Sequence, residues 1–427
     1  MLLGKFVTEV IDVKIVALGA QGDGIGHQGD DPVFVAGTAP GDLVRVEIGQ
    51  KKKNGFYATL LEILEASPER IQPVCKHFGK CGGCQLQFLN ADKYEDWLAE
   101  RATSALTHHG VEVGHVAKTE ISPPRSRRRV GLKVLKTPDG LVLGFNQRQS
   151  HSLVDIGECP VTSDKITKIF PALRKVLKDV LSPRMAADVH LTATATGIDM
   201  LVDAPLELDL RAREILVEFA HSADIAAINW RDRGYIDPVI TRREPMMELS
   251  GVRVPLSPAA FVQATAEGEA ALVDEVVKAA AGYGRVADLF CGLGTFTFPL
   301  AKTHQVLAVE GAREPLEALK KGLNQARGLK QVITKHCDLF RRPMTAVELG
   351  AFDVVVFDPP RPGAKEQAAE LARSAVRRIV AVSCNPNSFA RDARILVDGG
   401  YRLERLAPVD QFLWSPHLEL VGVFTRD

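Results

Sequence analysis

The chain has 427 residues, of which 46% are hydrophobic, so it is long enough for about two to four domains with apolar cores. Its 53 basic and 53 acidic residues balance, so net charge neither indicates nor excludes a nucleic-acid partner. No apolar run reaches the roughly 18 residues that cross a bilayer, and Glu9 and Asp12 stand where a signal peptide would be apolar. We therefore expect a cytoplasmic protein.

Residues 1–62 contain short apolar runs that predict β-strands. The predicted strands cover residues 6–16, 33–36, 43–48 and 56–64, with glycine-rich turns at 19–26 and 40–42. Short strands at this spacing indicate a small barrel of the oligonucleotide-binding kind. Three consecutive lysines, 51–53, are interpreted as a solvated hairpin tip.

Four cysteines suggest a metal site. Cys75, Cys81 and Cys84 are separated by five and two residues in a loop rich in glycine and glutamine, and Cys159 follows far downstream. In a cytosolic chain such sets bind metal more often than they form disulfides. Zinc prefers paired Cys-x2-Cys knuckles, whereas three cysteines plus one are common for a [4Fe–4S] cluster. Reduced cysteines without a metal remain the alternative.

The middle of the chain reads as an α+β region. A helix is expected at 91–108, and strands at 130–135, 141–145, 189–194 and 198–202. One helix, near residues 164–180, interrupts the strands. We place the boundaries of this central domain at 63–250, between the barrel at 1–62 and a third domain at 251–427.

After Pro255 strands and helices alternate. The predicted helices are 266–281, 315–327 and 365–375, and the predicted strands are 285–290, 306–309, 332–335, 354–357 and 378–383. Apolar strands separated by helices indicate a doubly wound, mainly parallel sheet. A final strand pair, 401–406 and 418–424, is expected to form its antiparallel edge.

Ligands of such sheets bind outside the carboxyl ends of the strands. Gly292 and Gly294 follow the first strand of the sheet and would let a ligand approach the backbone. Glu310 ends the second strand, where it suits a ribose diol, and Asp338 and Asp358 follow later strands. This layout is that of S-adenosylmethionine enzymes rather than of nucleotide dehydrogenases. A glycine turn that only packs a helix on a strand is the alternative.

Cys384, in the run 382–386, is the candidate nucleophile. A thiolate that adds to C6 of a pyrimidine makes C5 nucleophilic enough to attack a methyl sulfonium. C5 must then lose its proton to a base, for which Glu419 is the candidate. An ordinary exposed acid on an edge strand is the alternative for Glu419, and His417 is expected to be structural or to contact RNA.

Together these motifs resemble the RNA 5-methyluridine methyltransferase family of the TrmA/RumA type, over nearly the whole chain. The runs that carry the resemblance are 40–42, 75–87, 157–160, 261–263, 288–295, 383–386 and 417–419. The resemblance implies a Rossmann-like class I methyltransferase domain, a TRAM-like barrel of the OB-fold type and a central α+β iron–sulfur domain.

The resemblance also implies roles for individual residues. The catalytic pair would be Cys384 and Glu419. The residues that would bind S-adenosyl-L-methionine are Gln263, Phe290, Thr295, Glu310, Asp338 and Asp358. The ligands of a [4Fe–4S] cluster would be Cys75, Cys81, Cys84 and Cys159.

Several positions depart from the family pattern. Thr295 and Thr265 stand where the family has asparagines, which shortens a hydrogen-bonding side chain in each case. The runs 126–129 and 412–415 also differ, in regions where contacts to the substrate are expected. These changes affect the assignment of the RNA target more than the chemistry.

The expected function is formation of 5-methyluridine in RNA by a monomeric enzyme, with 23S ribosomal RNA as the first target and transfer RNA as the second. A 5-methylcytidine RNA methyltransferase is a rival, but such enzymes keep a cysteine after the proline pair where this chain has Arg361. An RNA-binding iron–sulfur protein that has lost catalysis is a second rival. A small-molecule methyltransferase is a third, and would leave the first two domains without a role.

Overall fold

The structure is a computed structural model that describes residues 9–426. The chain divides into two compact units. The first contains the residues up to Arg101 together with Asn146–Val154 and Trp414–Pro416, and the second contains the remainder. Within residues 9–426, no helix combines the length and the apolar character that a membrane span requires.

The first unit begins with a six-stranded sheet in the order β1-β5-β6-β4-β3-β2. Its strands are β1 (Val10–Lys14), β2 (Ala17–Leu18), β3 (Gly24–Gln28), β4 (Asp31–Val35), β5 (Leu43–Lys52) and β6 (Gly55–Glu65). Alternate residues of β1, β4 and β5 point inward and form an apolar core of valines and isoleucines. The part of the first predicted strand before Glu9 lies outside the described residues.

The prediction of a turn over residues 19–26 is wrong at its end, because β3 begins at Gly24. Glycines are poor strand formers, but here the sheet needs them. A Cβ atom on Gly24 would lie 2.1 Å from the Thr38 hydroxyl oxygen, and one on Gly26 would lie 2.2 Å from a methyl carbon of Val13. Close packing, against the loop after β4 for Gly24 and against β1 for Gly26, explains both glycines, and local sequence does not reveal it.

The next elements along the chain are α1 (Ala91–His108), β7 (Val113–Val116) and β8 (Glu120–Ile121). A seven-stranded sheet of order β11-β10-β9-β12-β13-β14-β15 follows. Its elements are β9 (Arg129–Lys136), β10 (Leu141–Asn146), β11 (Leu153–Asp155), α2 (Asp164–Thr167), α3 (Phe170–Val180), β12 (Ala186–Thr194), β13 (Gly197–Asp203), α4 (Leu210–Ser222), β14 (Ile225–Asp232) and β15 (Tyr235–Thr241).

The prediction of one helix in this region is wrong in two respects. The helix expected at 164–180 is broken, because a proline near the start of α3 favours the beginning of a new helix there. A further helix, α4, was not predicted. The side chain of Asp209 caps it by accepting a hydrogen bond from the Ala212 amide.

A two-stranded hairpin, β16 (Met246–Leu249) and β17 (Val252–Pro255), leads into the last sheet. The following elements are α5 (Ala266–Ala280), β18 (Arg285–Leu289), α6 (Thr297–Ala301), β19 (Gln305–Glu310), α7 (Arg313–Gln325), β20 (Val332–His336), α8 (Ala346–Leu349), β21 (Val354–Phe357), α9 (Lys365–Arg373), β22 (Arg378–Ser383), α10 (Pro386–Asp398), β23 (Arg402–Asp410) and β24 (Glu419–Thr425).

This nine-stranded sheet has the order β20-β19-β18-β21-β22-β24-β23-β7, and β8 also pairs with β23. The strands β18 to β22 are parallel, so their carboxyl ends lie at one edge. Apolar residues of α5 and α6 cover one face of the sheet. Residues of α7 and of the β16–β17 hairpin pack in a second cluster with Ala308 of β19.

The last strand pair does not form the edge of the sheet, contrary to the prediction. β24 lies between β22 and β23, and the outer side of β23 pairs with β7 and β8. Six consecutive residues of β24 are buried, as expected for an interior strand. The covering strands come from residues 113–121, far away in sequence, so no local pattern could indicate this pairing.

Candidate active site

A cavity of about 690 Å³ opens at the carboxyl ends of the parallel strands. It brings together all eight residues that the sequence assigned to catalysis or to the cofactor. They are Gln263, Phe290, Thr295, Glu310, Asp338, Asp358, Cys384 and Glu419. The structure thus places these residues around one space, while their individual roles remain predictions.

The turn after β18 forms one wall of the cavity. Phe290, Gly292 and Gly294 all have positive φ angles, of 61°, 52° and 98°. A Cβ atom on Gly294 would lie 2.5 Å from a methyl carbon of Leu319 and 2.7 Å from the ring of Phe298. Gly294 is therefore required by packing as well as by its backbone conformation.

Glu310, the last residue of β19, is held by the backbone. Its two carboxylate oxygens accept hydrogen bonds from the Gly292 amide (2.9 Å) and the Ala312 amide (2.7 Å). Each oxygen keeps a free lone pair for a ligand hydroxyl. A carboxylate fixed in this way suits recognition of a ribose diol.

An aromatic pair lies beside Asp338. The rings of Phe290 and Phe340 are 5.4 Å apart and tilted, and both line the cavity. The Asp338 side chain accepts the Phe340 amide at 3.0 Å, which fixes the loop. Apolar rings next to an acceptor fit a planar base with an amino group, such as adenine.

Two buried carboxyl groups, Asp288 and Asp358, stand at the ends of β18 and β21. Burial raises the pKa of each to about 7. Asp288 accepts a hydrogen bond from the Thr297 hydroxyl at 2.5 Å, and Asp358 lines the cavity. When ionised, these groups attract a cation, and the methyl donor proposed for this site is a cationic sulfonium.

Cys384 directly follows β22, where the strand turns into α10. Ser383 and Asn385 stabilise this turn: the Ser383 hydroxyl accepts the Asn385 amide, and Asn385 caps the helix. Burial first, and then the charges of Glu419 and Asp358, raise the pKa of the Cys384 thiol to about 11. The thiol is therefore protonated at neutral pH in the free protein.

Glu419 begins β24 and is only 4% exposed. The alternative of an exposed acid on an edge strand is therefore wrong. Burial and the charge of Asp358 raise the pKa of Glu419 to about 8, although a hydrogen bond from Gln411 opposes this shift. A carboxyl group that titrates near neutral pH suits the transfer of a proton.

The two threonines at family asparagine positions lie in different environments. Thr295 lines the cavity. Thr265 is buried, and its hydroxyl accepts the Gly268 amide to cap α5 and contacts the Ser122 hydroxyl at 2.8 Å. Thr265 therefore has a structural function in this chain.

The predicted cluster ligands are not arranged as a metal site. Cys75, Cys81 and Cys84 are partly exposed in a loop of successive turns in the first unit. Cys159, in the second unit, accepts a hydrogen bond from the Thr162 hydroxyl at 3.3 Å. Across residues 9–426, no group of three or more His, Cys, Asp or Glu side chains is placed to hold a metal ion.

The sequence did not predict two residues of the site, Gln411 and Arg361. Arg361 lines the cavity and lowers the pKa of Cys384, against the effect of burial. Gln411 directly follows β23 and donates a hydrogen bond to Glu419 at 3.0 Å. Its position just after a strand that pairs with the strand of Glu419 could have indicated it, had the pairing been known.

The parallel sheet, the glycine turn and the acidic residues at successive strand ends define an S-adenosylmethionine-dependent methyltransferase. Comparisons with known proteins agree. The family described as tRNA (Uracil-5-)-methyltransferase matches residues 254–427, and the TRAM domain matches residues 4–61.

Relatives extend the match to nearly the whole chain. An uncharacterized RNA methyltransferase of Caulobacter vibrioides is 44% identical, with 97% of this chain and 100% of the relative covered. The 23S rRNA (uracil(1939)-C(5))-methyltransferase RlmD of Aeromonas hydrophila is 34% identical, with 99% and 96% covered. The chain belongs to the RNA uracil-C5 methyltransferase family.

A solved structure shares the fold. It is the Pyrococcus abyssi tRNA (uracil-54, C5)-methyltransferase in complex with S-adenosyl-L-homocysteine. The TM-score is 0.77 at 24% identity, with 97% of this chain and 99% of the other covered.

Proposed function

We propose that this protein methylates C5 of a uridine in RNA, with Cys384 as nucleophile and Glu419 as base. One observation carries the proposal: Cys384 and Glu419 line the same cavity as the six residues assigned to the methyl donor. This reaction requires, in one cavity, a thiol, a carboxyl group with a near-neutral pKa and a site for the methyl donor.

The Cys384 thiol first loses its proton to solvent. The thiolate then forms a bond to C6 of uracil, and the electrons move towards C5 and O4. C5 then attacks the methyl group of the sulfonium, which leaves S-adenosyl-L-homocysteine. Glu419 takes the proton from C5, the C5–C6 double bond re-forms, and the sulfur is expelled as thiolate. The target nucleotide has to leave its stack to reach the cavity.

The proposed target is 23S ribosomal RNA. The relative named as a 23S rRNA uracil-C5 methyltransferase supports this choice, because it is similar over 99% of this chain. Mapping of 5-methyluridine by mass spectrometry in 23S ribosomal RNA and transfer RNA, from cells with and without the gene, tests it. We expect one 5-methyluridine to disappear from 23S ribosomal RNA. A loss confined to transfer RNA would overturn the target, and a loss of 5-methylcytidine would overturn the reaction.

Removal of the nucleophile tests the chemistry. Cys384→Ala is expected to lower turnover by at least about 10⁴-fold, because C5 of uracil is not nucleophilic without addition at C6. Binding of S-adenosyl-L-homocysteine, measured by calorimetry, should stay within about threefold of that of the unmodified protein. Methylation near the original rate would remove Cys384 from the mechanism.

The N-terminal sheet is proposed to grip RNA. Phe34 and Tyr57 stack at 5.2 Å on neighbouring strands, and the Lys52 ammonium lies 4.6 Å from the Tyr57 ring centroid. The lysines at 51–53 lie exposed at the tip of the β5–β6 hairpin, as predicted, and Lys52 also belongs to this aromatic patch. Aromatic rings beside a cation suit single-stranded RNA, whose bases stack and whose phosphates attract charge.

An iron–sulfur cluster remains a proposal that rests on the cysteine motif alone. Thiolates of Cys75, Cys81, Cys84 and Cys159 would hold it. Protein purified without oxygen should be brown and contain iron and sulfide in equal amounts. A colourless protein with zinc, or with no metal, would overturn the proposal. No step of the reaction above uses the cluster.

A further inference from the structure

Gln411 connects the proposed base to the wall of the cavity. It lies between β23 and β24 and is 1% exposed. Its side-chain oxygen accepts the Ala264 amide at 2.7 Å. Its side-chain nitrogen donates to Oε1 of Gln263 at 2.6 Å and to Oε1 of Glu419 at 3.0 Å. The Gln411 amide therefore makes three hydrogen bonds in a buried position.

These partners fix which way the Gln411 amide faces. A backbone N–H can only donate, so the group facing Ala264 has to be the Gln411 oxygen. The Gln411 nitrogen then faces Gln263 and Glu419, and both of its hydrogens are used. The reverse orientation would set an N–H against the Ala264 N–H and an oxygen against the Glu419 carboxylate, at a large cost in a buried site.

The orientation of Gln411 also sets that of Gln263. Because Oε1 of Gln263 accepts from Gln411, its Nε2 is the group left for the cavity that Gln263 lines. No hydrogen bond within the described part of the chain engages that nitrogen. Gln263 thus presents an N–H donor to a bound ligand.

We propose that Gln411 is a positioning residue that holds Glu419 for removal of the C5 proton. This inference rests on the proposed function. The Gln411 nitrogen donates to Oε1 of Glu419 at 3.0 Å. Its further bonds, to the Ala264 amide and to Gln263, fix the orientation of the Gln411 amide, so that its donor faces the Glu419 carboxyl group.

The pKa of Glu419 also depends on the charged groups around it. They are Asp358 after β21, Arg361 in the following loop, Cys384 after β22 and Asp410 at the end of β23. Beyond Gln263, Arg128 and Glu269 form an ion pair with each other, and Arg128 also donates to the Gln263 carbonyl. Gln411 is the neutral donor in this set that bonds Glu419 directly.

Gln411→Met tests the effect on the base, because methionine has a similar shape and no hydrogen-bond donor. Without the donor the Glu419 carboxylate is less stable, so the acidic limb of the kcat–pH profile should move up by about one pH unit. Turnover at pH 7 should then fall about tenfold with little change in KM. Because elimination is slowed, a covalent RNA–protein adduct should accumulate on denaturing gels and decay faster as the pH is raised.

Gln367→Met is the matched control. Gln367 is equally buried and bonds the backbone of Met344 on both sides, but it lies outside the cavity. This variant should lose stability without a shift in the pH profile. A Gln411→Met protein that matches the unmodified enzyme within twofold in kcat, in pH profile and in adduct level would overturn the positioning of Glu419.

Failure of this inference can be distinguished from failure of the proposed function. The unmodified protein is assayed first on 23S ribosomal RNA from cells that lack the gene. If it forms no 5-methyluridine there or in transfer RNA, the proposed function fails and the inference with it. If it methylates uridine while Gln411→Met behaves like the unmodified enzyme, only the inference fails.

Discussion

Cys384 lies in an environment that disfavours the form in which a cysteine reacts. The thiolate is the nucleophile, but burial and the charges of Glu419 and Asp358 raise the pKa of this thiol to about 11. The same charges are needed at other steps, since Glu419 is the proposed base. In the free protein the Cys384 thiol is therefore poorly reactive at neutral pH. Addition to C6 has to be driven by the bound pyrimidine.

The pH dependence of Cys384 alkylation tests this reading. Because its pKa is raised, the thiolate fraction should increase about tenfold per pH unit from pH 7 to 9. Glu419→Gln removes one negative charge, so the Cys384 pKa should fall and alkylation at pH 8 should become several-fold faster. Reaction with iodoacetamide, followed residue by residue with mass spectrometry, measures both effects.

Part-exposed Cys337 serves as an internal reference in the same experiment. Its alkylation should be the same in Glu419→Gln and in the unmodified protein. If the rate at Cys384 does not change, or becomes slower, Glu419 does not set the reactivity of the thiol.

The site residues that could be predicted from the sequence are those at or just after the ends of strands. Cys384, Glu310 and Asp358 each stand at or just after the carboxyl end of a parallel strand, and that rule alone brings them to one edge. Gln411 was not predictable, because its bonds to Gln263 and Glu419 depend on how β23 and β24 pair. Polar contacts between distant segments leave no pattern in the local sequence.

At the scale of elements, the turn after β18 links packing to the cofactor site. Gly294 has a φ of 98°, and a Cβ atom there would overlap both Leu319 and Phe298. Gly292 has a φ of 52°, and a Cβ atom there would meet no other atom within 4 Å. Gly292 is therefore favoured by backbone conformation alone, whereas Gly294 is favoured by both backbone conformation and packing.

Alanine at these positions should have unequal effects. Gly294→Ala combines an unfavourable φ with overpacking and should lower the free energy of unfolding by about 2–4 kcal/mol. Gly292→Ala adopts a left-handed conformation without a clash and should cost about 1 kcal/mol. Urea unfolding of both variants measures the difference. Equal losses would mean that the contacts to Leu319 and Phe298 relax.

The sequence predicted those elements whose hydrophobic pattern matches their burial in the fold. Each strand and helix predicted after Pro255 lies within a few residues of an observed element, whereas α6, α8 and α10 were not predicted. The interior strands β18, β21 and β22 are mostly buried, which explains their continuous apolar runs. β3 was missed because its glycines serve the packing of the first sheet. The interior position of β24 was missed because β7 and β8 cover β23 from a distant part of the chain.

For the whole molecule, the balance of charge limits how RNA can be attracted. With 53 basic and 53 acidic residues, no net field steers a polyanion, so attraction has to come from local patches. The Lys52–Tyr57–Phe34 group is the patch that we propose for this role. Lys14, on β1 of the same sheet, instead donates to the Gly41 carbonyl at 2.7 Å and is used within the protein.

Two lysine variants with the same change in net charge test whether the patch contacts RNA. Lys52→Gln should reduce the slope of log K against log salt by about one, because one phosphate contact is lost. Lys14→Gln should leave the slope unchanged. Tyr57→Leu should weaken binding by about 1–3 kcal/mol at every salt concentration, because stacking does not release counterions. Fluorescence titrations of single-stranded RNA at several salt concentrations measure all three, and equal slopes for Lys52→Gln and Lys14→Gln would exclude the patch as an RNA contact.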